Sequence, residues 1–440
     1  MRVLWVCNIM LPRVAEQLHI ESSSREGWLT GLSEQLLDHA KQEDIGLAVC
    51  FPTLDEEILT QGRIDIAQED GTSFVAYPFR EDVHKAEVYD KQLEKEFAKI
   101  ISDYQPDILH CFGTEFPHTL ASVIAFDCPE KSLIGIQGLC SEIAGEYPAD
   151  IPVRVWNRKT FRDRVKRDDL RKQRDKYILR GNREREAIRR VRHITGRTIW
   201  DQCYAQEWNE KAQYHLLNET LRDCFYTDEW SENACQKGRI FISQGDYPLK
   251  GLHYLLQAMP MILEKNPEAE IYVAGNSIIK GALQSGFAGI KERLKLESYG
   301  KYILELLKKH DLIDRVHFVG PQDAQGMKEQ YLKANVFVNP SALENSPNSL
   351  GEAMLLGVPC VASKVGGVPS LFKDRLDGLL YEKDDIVALA GCVNLMLEGG
   401  DLVDKMRKHA RDHARQTHNQ EENYRRLLEI YHTIAKEYEE

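Results

Sequence analysis

The chain has 440 residues, of which 42% are hydrophobic and 29% are charged, and its formal net charge is −12. This length exceeds what one hydrophobic core supports, so we expect two domains, and the sequence has no run of about 18 apolar residues to predict a membrane-spanning helix. The ten cysteines lack metal-site spacing and the N-terminus lacks a cleavage site, so we expect a cytoplasmic protein with reduced thiols.

Short apolar segments alternate with longer segments of helical period along the chain. Several of these short segments are apolar throughout, which is typical of parallel strands covered on both faces. The predicted strands are 2–7, 46–50, 73–77, 107–111, 132–136, 191–195, 239–243, 270–274, 315–319, 335–339, 358–362 and 378–381.

The alternation falls into two consecutive sets, which indicates two α/β domains, each with a doubly wound sheet. A polar stretch without periodicity, 227–239, separates the sets. We therefore predict domains at 1–235 and 236–418, followed by an amphipathic helix at 419–440 that packs back on the first domain. Ligands of such sheets bind beyond the carboxyl ends of the strands, so we expect the active site in a cleft between the two domains.

Positive charge is concentrated in one segment of the first half. Residues 154–192 contain seventeen Lys and Arg against six Asp and Glu. Such a segment predicts either contact with phosphate groups or an anionic membrane surface, or simply a solvated helix face. Few aromatic residues interleave with these charges, so we do not expect nucleic-acid binding.

A lysine follows the first predicted strand of the second set. In the stretch ISQGDYPLKG, Lys250 and Gly251 stand where an amphipathic helix begins. A cation at a helix start is unfavourable for the helix dipole, so its presence suggests contact with a phosphate; the alternative is an ordinary surface lysine. No G-x-G-x-x-G follows a predicted strand, so a dinucleotide oxidoreductase is not expected.

The loop after strand 335–339 carries two glutamates, Glu344 and Glu352, in the stretch ENSPNSLGE. Pro347 suits the first turn of a helix, with Asn345 or Ser346 as the N-cap. This pattern predicts a helix over about 348–356.

The start of this helix predicts an anion site. The N–H groups of Asn348, Ser349 and Leu350 would have no partner within the helix and would point at a phosphate or diphosphate. Glu352, in the first turn, would reach vicinal ribose hydroxyls, while Glu344 would approach the same ligand from its other side. The alternative is that Glu352 only complements the helix dipole and that Glu344 is a solvated loop residue.

The spacing of Glu344 and Glu352, followed by GVPCVAS and VGGVP, resembles the E-x7-E signature of the family 4 glycosyltransferases. The Lys250–Gly251 pair resembles the lysine in the first loop of that family's donor domain. The likeness is strong over 236–382 and weaker over 1–235. It implies the GT-B fold, with two Rossmann-like domains, and a transferase that retains the anomeric configuration.

The resemblance implies that a hexose-type sugar moves from a nucleotide sugar to an acceptor hydroxyl, with UDP our first expectation for the nucleotide and GDP the second. The acceptor would be a glycan or lipid-linked glycan of cell-surface polysaccharide assembly, and 154–192 would draw the enzyme to the inner face of the membrane. No metal or other cofactor is expected. An epimerase on the same fold and a non-catalytic sugar-nucleotide binder remain alternatives.

Residue roles follow from the same resemblance. Glu344 would contact the 3- and 4-hydroxyls of the donor sugar, Lys250 would neutralise the diphosphate, and Glu352 would hold the ribose. The remaining donor-site candidates are Gly251, Asn348, Ser349, Leu350, Gly320 beside the base, Gly27 near the diphosphate and Arg197. The acceptor-side candidates are Gln137, His110 and Glu115.

The sequence departs from the family pattern at three positions. Gln244 and Gly245 stand where the family has an arginine, Ser370 replaces an acid, and Gln137 stands where many members have a histidine. One charge on the leaving diphosphate is therefore unassigned.

Overall fold

The computed structural model of the protein describes residues 1–20, 27–39, 43–67 and 73–437. The chain divides into two units. The first unit consists of Met1–Glu142, Lys176–Arg222 and His418–Glu440, and the second of Ile143–Asp175 and Asp223–Thr417. The predicted boundaries at 235 and 418 differ from these units mainly because Ile143–Asp175 groups with the second unit. The acceptor and donor roles of the two domains stay predictions.

The first unit contains an eight-stranded sheet in the order β3-β4-β2-β1-β5-β6-β7-β8. Its neighbouring strands are parallel except for β3, which runs antiparallel to β4. The strands are β1 (Arg2–Val6), β2 (Gly46–Thr53), β3 (Ile64–Ala67), β4 (Ser73–Arg80), β5 (Ile108–Phe112), β6 (Ser132–Gly135), β7 (His193–Gly196) and β8 (Gln213–Leu216).

The second unit contains a six-stranded, all-parallel sheet in the order β11-β10-β9-β12-β13-β14. The direction of strand succession reverses between β9 and β12, which is where open sheets of this kind bind ligands. The strands are β9 (Arg239–Ile242), β10 (Glu270–Ala274), β11 (Val316–Gly320), β12 (Val336–Asn339), β13 (Cys360–Ser363) and β14 (Leu379–Tyr381).

Helices connect most of the strands in both units. Within the described residues they are α1 (Pro12–Gln17), α2 (Gly27–His39), α3 (Glu56–Gln61), α4 (Gln92–Tyr104), α5 (Pro117–Phe126), α6 (Cys140–Glu146), α7 (Val153–Trp156), α8 (Phe161–Lys166), α9 (Leu170–Ile188), α10 (Ile199–Trp208), α11 (Leu252–Lys265), α12 (Gly286–Leu294), α13 (Ser298–Lys309), α14 (Ala324–Lys333), α15 (Asn348–Leu356), α16 (Val368–Leu371), α17 (Ile386–Glu398), α18 (Asp401–Thr417) and α19 (Gln420–Glu437).

All twelve predicted strands are present, and two further strands were missed. The segment that forms β3, IDIA, alternates buried and exposed residues at the sheet edge, so it lacks the continuous apolar run used for prediction. The segment that forms β8, QYHL, is also an edge strand, and two of its four residues are polar.

The predicted C-terminal helix forms as α19 and packs within the first unit, as expected. The Tyr431 hydroxyl accepts a hydrogen bond from Trp5 Nε1 at 2.8 Å and lies 2.7 Å from His110 Nδ1. Because Trp5 and His110 belong to the adjacent strands β1 and β5, this hydroxyl joins the last helix to the middle of the sheet.

Among the described residues, no single helix combines the length and hydropathy needed to cross a bilayer. The segments Ile386–Glu398 and Asp401–Glu437 meet that test only when they are taken together across a bend.

Candidate active site

The loops that follow β9 and β12 meet at the point where the second sheet reverses its strand succession. Lys250 ends the short 3₁₀ turn after β9, and Glu344 lies in the loop after β12. Lys250 Nζ lies 2.7 Å from Glu344 Oε1. The Ala342 amide donates to the Leu249 carbonyl oxygen at 2.7 Å, so the loops also join through their backbones.

Gly251 makes this close approach of the two loops possible. Its φ is +69°, a region that favours glycine, and a Cβ placed there would lie 1.8 Å from the Pro340 carbonyl oxygen. Gly251 is therefore required by the loop-to-loop contact. A direct contact of Gly251 with a donor stays a prediction.

Glu344 is fixed from both its side chain and its backbone. The Ser341 hydroxyl donates to Glu344 Oε1 at 2.7 Å, and the Gly367 amide donates to the Glu344 carbonyl oxygen at 3.0 Å. A Cβ on Gly366, whose φ is +48°, would lie 2.1 Å from that same carbonyl oxygen. The two glycines of the VGGVP stretch thus hold the backbone of Glu344, a long-range contact that the sequence did not predict.

The Lys250 ammonium is held in its charged form. Burial disfavours its charge, but the nearby Glu344 carboxylate and the Tyr247 hydroxyl outweigh burial and raise the pKa of Lys250 above its usual value. The Lys250 side chain keeps 22% of its surface exposed and that of Glu344 keeps 14%, so the pair remains open to a ligand.

The start of α15 differs from the prediction in its cap. Pro347, and neither Asn345 nor Ser346, occupies the N-cap position, and no side chain caps the helix there. The Leu350 amide already donates to the Pro347 carbonyl oxygen at 2.9 Å, which removes Leu350 from the predicted set of free N–H groups. The N–H groups of Asn348 and Ser349 precede any acceptor within the helix, so they remain the candidates for an anion.

Glu352 lies just beyond the first turn of α15, in which it was predicted to lie. Because the helix begins at Asn348, Glu352 is its fifth residue and does not belong to the first turn. Its side chain is buried, with Oε2 3.2 Å from the Tyr331 hydroxyl, which also lies 2.9 Å from the Ser349 carbonyl oxygen. Helical side chains lean toward the N-terminus and residues four apart share a face, so Glu352 lies beneath Asn348.

Two further positions of the second unit bear on the donor site. Gly320 ends β11 with a φ of +80°, and a Cβ there would meet no atom within 4 Å, so the space beside it is open. The Gln244 side chain, where the family has an arginine, donates to Asp246 Oδ1 at 2.9 Å. Gln244 therefore supplies no cation, as the sequence indicated.

In the first unit, Arg197 has partners of its own. Its guanidinium forms an ion pair with Glu219 through Nη1, while Nη2 donates to the Gln137 carbonyl oxygen at 3.1 Å. Both side chains of the ion pair are almost fully buried, so the Glu219 carboxylate already balances this cation. The prediction of Arg197 as a donor-site residue is therefore corrected: Arg197 forms a structural ion pair.

The prediction of His110 as an acceptor-side residue is also corrected. The side chain is fully buried in the core that β1, β5 and α19 share, where it contacts Tyr431 and the Phe112 ring. Burial lowers the pKa of His110 to about 3, so the imidazole is neutral and its Nδ1 accepts from the Tyr431 hydroxyl. The apolar strand pattern around His110 already favoured a core position.

Glu115 and Gln137, in contrast, lie together at the carboxyl ends of β5 and β6. Glu115 Oε1 accepts from the Gly138 amide at 3.0 Å, directly after Gln137. The Glu115 carbonyl oxygen accepts from Arg180 Nε at 2.8 Å. These two residues remain acceptor-side candidates.

Sequence reasoning missed Glu184, which is buried beside these loops. Its Oε2 accepts from the Cys140 amide and from the Thr114 hydroxyl, each at 2.8 Å, so it ties α9 to the start of α6. Burial raises the pKa of Glu184 to about 8, against the lowering effect of these hydrogen bonds. The sequence contained only one indication of a special role for Glu184, its position as an acidic residue within the strongly basic segment 154–192.

Gly27 begins α2, but the residues before it, 21–26, lie outside the described part of the chain. Its predicted proximity to a diphosphate stays a prediction.

The basic segment 154–192 is divided between the two units and many of its charges are paired. Arg154 and Arg158 both bind Glu305, at 3.0 and 2.8 Å, within the second unit. Lys176 lies 3.5 Å from Glu87 within the first. Acidic side chains outside the segment therefore neutralise part of its positive charge. Attachment of 154–192 to a membrane stays a prediction.

Comparison with known proteins finds sequence similarity in the second unit. Residues 227–413, which lie within the second unit, match the family model of the glycosyl transferases group 1. A D-inositol 3-phosphate glycosyltransferase from Corynebacterium urealyticum is 30% identical over 186 residues, which are 42% of this chain and 41% of the relative. The match thus spans less than half of that curated relative.

Solved structures resemble the protein over nearly its whole length. Sucrose-phosphate synthase from Thermosynechococcus elongatus aligns with a TM-score of 0.67 at 16% identity, covering 99% of each chain. Anabaena HepE in complex with UDP-glucose aligns with a TM-score of 0.63 at 16% identity, covering 98% of this chain and all of the other. At this identity the likeness shows the fold alone, and it confirms the predicted GT-B fold. Similarity to the glycosyl transferases group 1 rests on the family match over residues 227–413.

Proposed function

We propose that the protein is a retaining glycosyltransferase that moves a hexose from a UDP- or GDP-sugar to an acceptor hydroxyl. The observation that carries this proposal is the Lys250–Glu344 pair, with 2.7 Å between Nζ and Oε1, at the reversal point of the second sheet. It joins a cation suited to a diphosphate with a carboxylate suited to sugar hydroxyls.

Each member of the pair keeps capacity for a donor. An ammonium carries three N–H groups, and Glu344 uses one of those of Lys250. A second contacts the Tyr247 hydroxyl, and the third is assigned to the diphosphate, together with the Asn348 and Ser349 amides at the uncapped start of α15. Lys250 and Ser341 both contact Oε1 of the Glu344 carboxylate, so Oε2 is assigned to the 3- and 4-hydroxyls of the sugar. Glu352 is assigned to the ribose.

The transfer forms a bond between the acceptor oxygen and the anomeric carbon and breaks the bond from that carbon to the diphosphate oxygen. Negative charge grows on the diphosphate as this bond breaks, and Lys250 with the helix start stabilises it. The acceptor proton passes to the departing diphosphate oxygen on the same face of the sugar, which retains the configuration. In this scheme charge stabilisation comes from Lys250 and the helix start, so we expect transfer to tolerate a chelator.

UDP is the first candidate for the nucleotide, since Anabaena HepE was solved with UDP-glucose. The acceptor is proposed as a glycan or lipid-linked glycan of cell-surface polysaccharide assembly, on the resemblance to the family 4 glycosyltransferases. Glu115 and Gln137 are the acceptor-side candidates that the first unit leaves in place.

A thermal-shift panel of UDP-, GDP- and ADP-sugars tests donor binding, because a ligand that binds only the folded state raises its melting temperature. We expect a shift with a UDP- or GDP-sugar, and hydrolysis of that donor above the rate in buffer. A shift without turnover or transfer would instead support a non-catalytic binder, and isomerised donor would support an epimerase.

A further inference from the structure

Helix α12, between β10 and α13 of the second unit, carries its apolar side chains on the outside. Phe287, Ile290 and Leu294 are 83%, 52% and 48% exposed. At about 100° per residue, these three positions fall within an arc of about 60°. A helix on a globular unit ordinarily turns such a stripe toward the core, so this orientation needs an explanation.

The opposite face of α12 fixes this orientation. Gly289 is buried, and a Cβ there would lie 1.8 Å from the Gln284 carbonyl oxygen, so the helix approaches its preceding turn too closely for any larger residue. Arg293, an exposed residue beside the stripe, donates through Nε to the Ala282 carbonyl oxygen at 2.9 Å, which also ties α12 to the turn before it. Rotating α12 so that the stripe faced inward would break both contacts.

The stripe continues into a groove between α12 and α13. The groove has a volume of about 410 Å³, and its walls combine leucines and an isoleucine with basic side chains, from Ile290, Arg293, Leu294, Leu296, Lys301, Leu304, Glu305 and Lys308. An exposed apolar surface of this kind marks an interaction site.

Positive charge surrounds the apolar surface although the whole chain is acidic. Residues 286–309 contain six Lys and Arg against three Asp and Glu, in a chain whose net charge is −12. The Glu305 carboxylate on the groove wall is bound by two arginines, Arg154 and Arg158, and Glu292 is bound by Lys295 at 2.6 Å. Two of the three local acids are therefore already neutralised.

We propose that α12 and the adjoining groove dock on the surface of a bilayer that contains anionic phospholipid, with Phe287, Ile290 and Leu294 inserted among the headgroups. Apolar side chains bordered by lysines and arginines on one helix face match the two layers of such a surface, hydrocarbon below and phosphate above. The exposed stripe lies parallel to the helix axis, as docking flat on an interface requires.

A second copy of the chain fits this surface less well. In a twofold dimer the same patch meets itself, so Arg293, Lys301 and Lys308 of one copy would face the same three cations of the other. One helix of nine residues also offers far less than the roughly 800 Å² per partner of a stable interface.

Vesicle flotation without any sugar donor tests the proposal, and its outcome is therefore independent of the proposed transferase activity. We expect the protein to float with vesicles of phosphatidylcholine and phosphatidylglycerol mixed at about 3:1, and not with phosphatidylcholine alone. The double variant Phe287→Ser/Ile290→Ser should lower partition about tenfold or more. The double variant Lys301→Glu/Lys308→Glu should lower it about as much, since each cation near anionic lipid contributes severalfold.

The matched control is Val387→Ser/Leu402→Ser, which removes two apolar side chains that are 69% and 54% exposed elsewhere on the second unit. It should float like the wild type. Absence of wild-type flotation, or equal flotation of the α12 variant and this control, overturns the proposal. A dimer in analytical ultracentrifugation that only the α12 variant dissociates, with vesicle binding unchanged, would assign the surface to a second copy.

Discussion

The two sheets reverse their strand succession at equivalent places, between β1 and β5 and between β9 and β12, but the candidate residues of the two units differ in their availability. In the second unit, Lys250 and Glu344 form a pair that is partly open and is held at its backbone by glycine contacts. In the first unit, Arg197 is buried with Glu219 and His110 is buried with Tyr431. A ligand can therefore recruit the charges of the second site directly, whereas those of the first site already stabilise the fold.

The largest effect should come from Lys250→Ala. It removes the cation assigned to the leaving diphosphate, so we expect transfer to fall by about a thousandfold in kcat, with the fold intact. The measurement is steady-state transfer with saturating UDP-sugar.

Lys333→Ala is the control, since Lys333 is also paired with an acid, Glu329, at 3.4 Å in the same unit. If Lys250→Ala and Lys333→Ala both keep the wild-type kcat, the Lys250–Glu344 pair has no functional role. The contrast drawn between the two units is then wrong.

Glu344→Gln should have the next largest effect, about a hundredfold on kcat/KM, because an amide loses the charge-assisted hydrogen bonds to sugar hydroxyls. The same substitution should cost less with a donor that lacks the 4-hydroxyl, since the lost contact is then absent from the wild type as well. Rates for both donors with both proteins give the difference. An equal loss of kcat/KM with the two donors would show that Glu344 does not contact the 4-hydroxyl.

Gly251→Ala should lower the free energy of unfolding by about 3 kcal/mol or more, because it combines a strained φ with a clash against Pro340. Gly357→Ala is a matched control: its φ of +73° and ψ of 30° lie in the same left-handed region as the +69° and 15° of Gly251, but a Cβ there would meet only arginine side-chain atoms, at 3.4 Å or more. We expect that control to cost only about 1 kcal/mol. Urea unfolding of both variants separates the loop contact from the backbone conformation, and similar values would contradict the contact.

The fold was largely predictable because buried parallel strands leave continuous apolar runs, and these marked twelve strands. The edge strands β3 and β8 were not predicted because neither has a continuous run of buried residues. Only one face of β3 is buried, and only one residue of β8 is. Lys250 and Glu344 were found from local spacing. The contact of Gly366 with the Glu344 backbone joins residues distant in sequence and left no local pattern. His110 was misplaced because the family resemblance was given more weight than its apolar neighbours.

The smallest effect concerns His110, which should matter to acid stability and not to transfer at neutral pH. Its pKa is lowered to about 3 by burial, so stability is complete above the pKa of an unfolded histidine, about 6.5, and is lost as the pH falls from there toward 3. His110→Gln should therefore reduce the drop in melting temperature between pH 7.5 and pH 5. The exposed His84→Gln serves as the control and should leave that drop unchanged.

Binding of UDP-glucose, measured by calorimetry on the wild type, Lys250→Ala and Lys333→Ala, tests the central claim most directly. The account predicts that the wild type and Lys333→Ala bind with the same dissociation constant, while Lys250→Ala binds at least about tenfold more weakly. If Lys250→Ala binds UDP-glucose as tightly as the wild type does, or if GDP-glucose and UDP-glucose both fail to bind the wild type, the loops after β9 and β12 do not form the donor site.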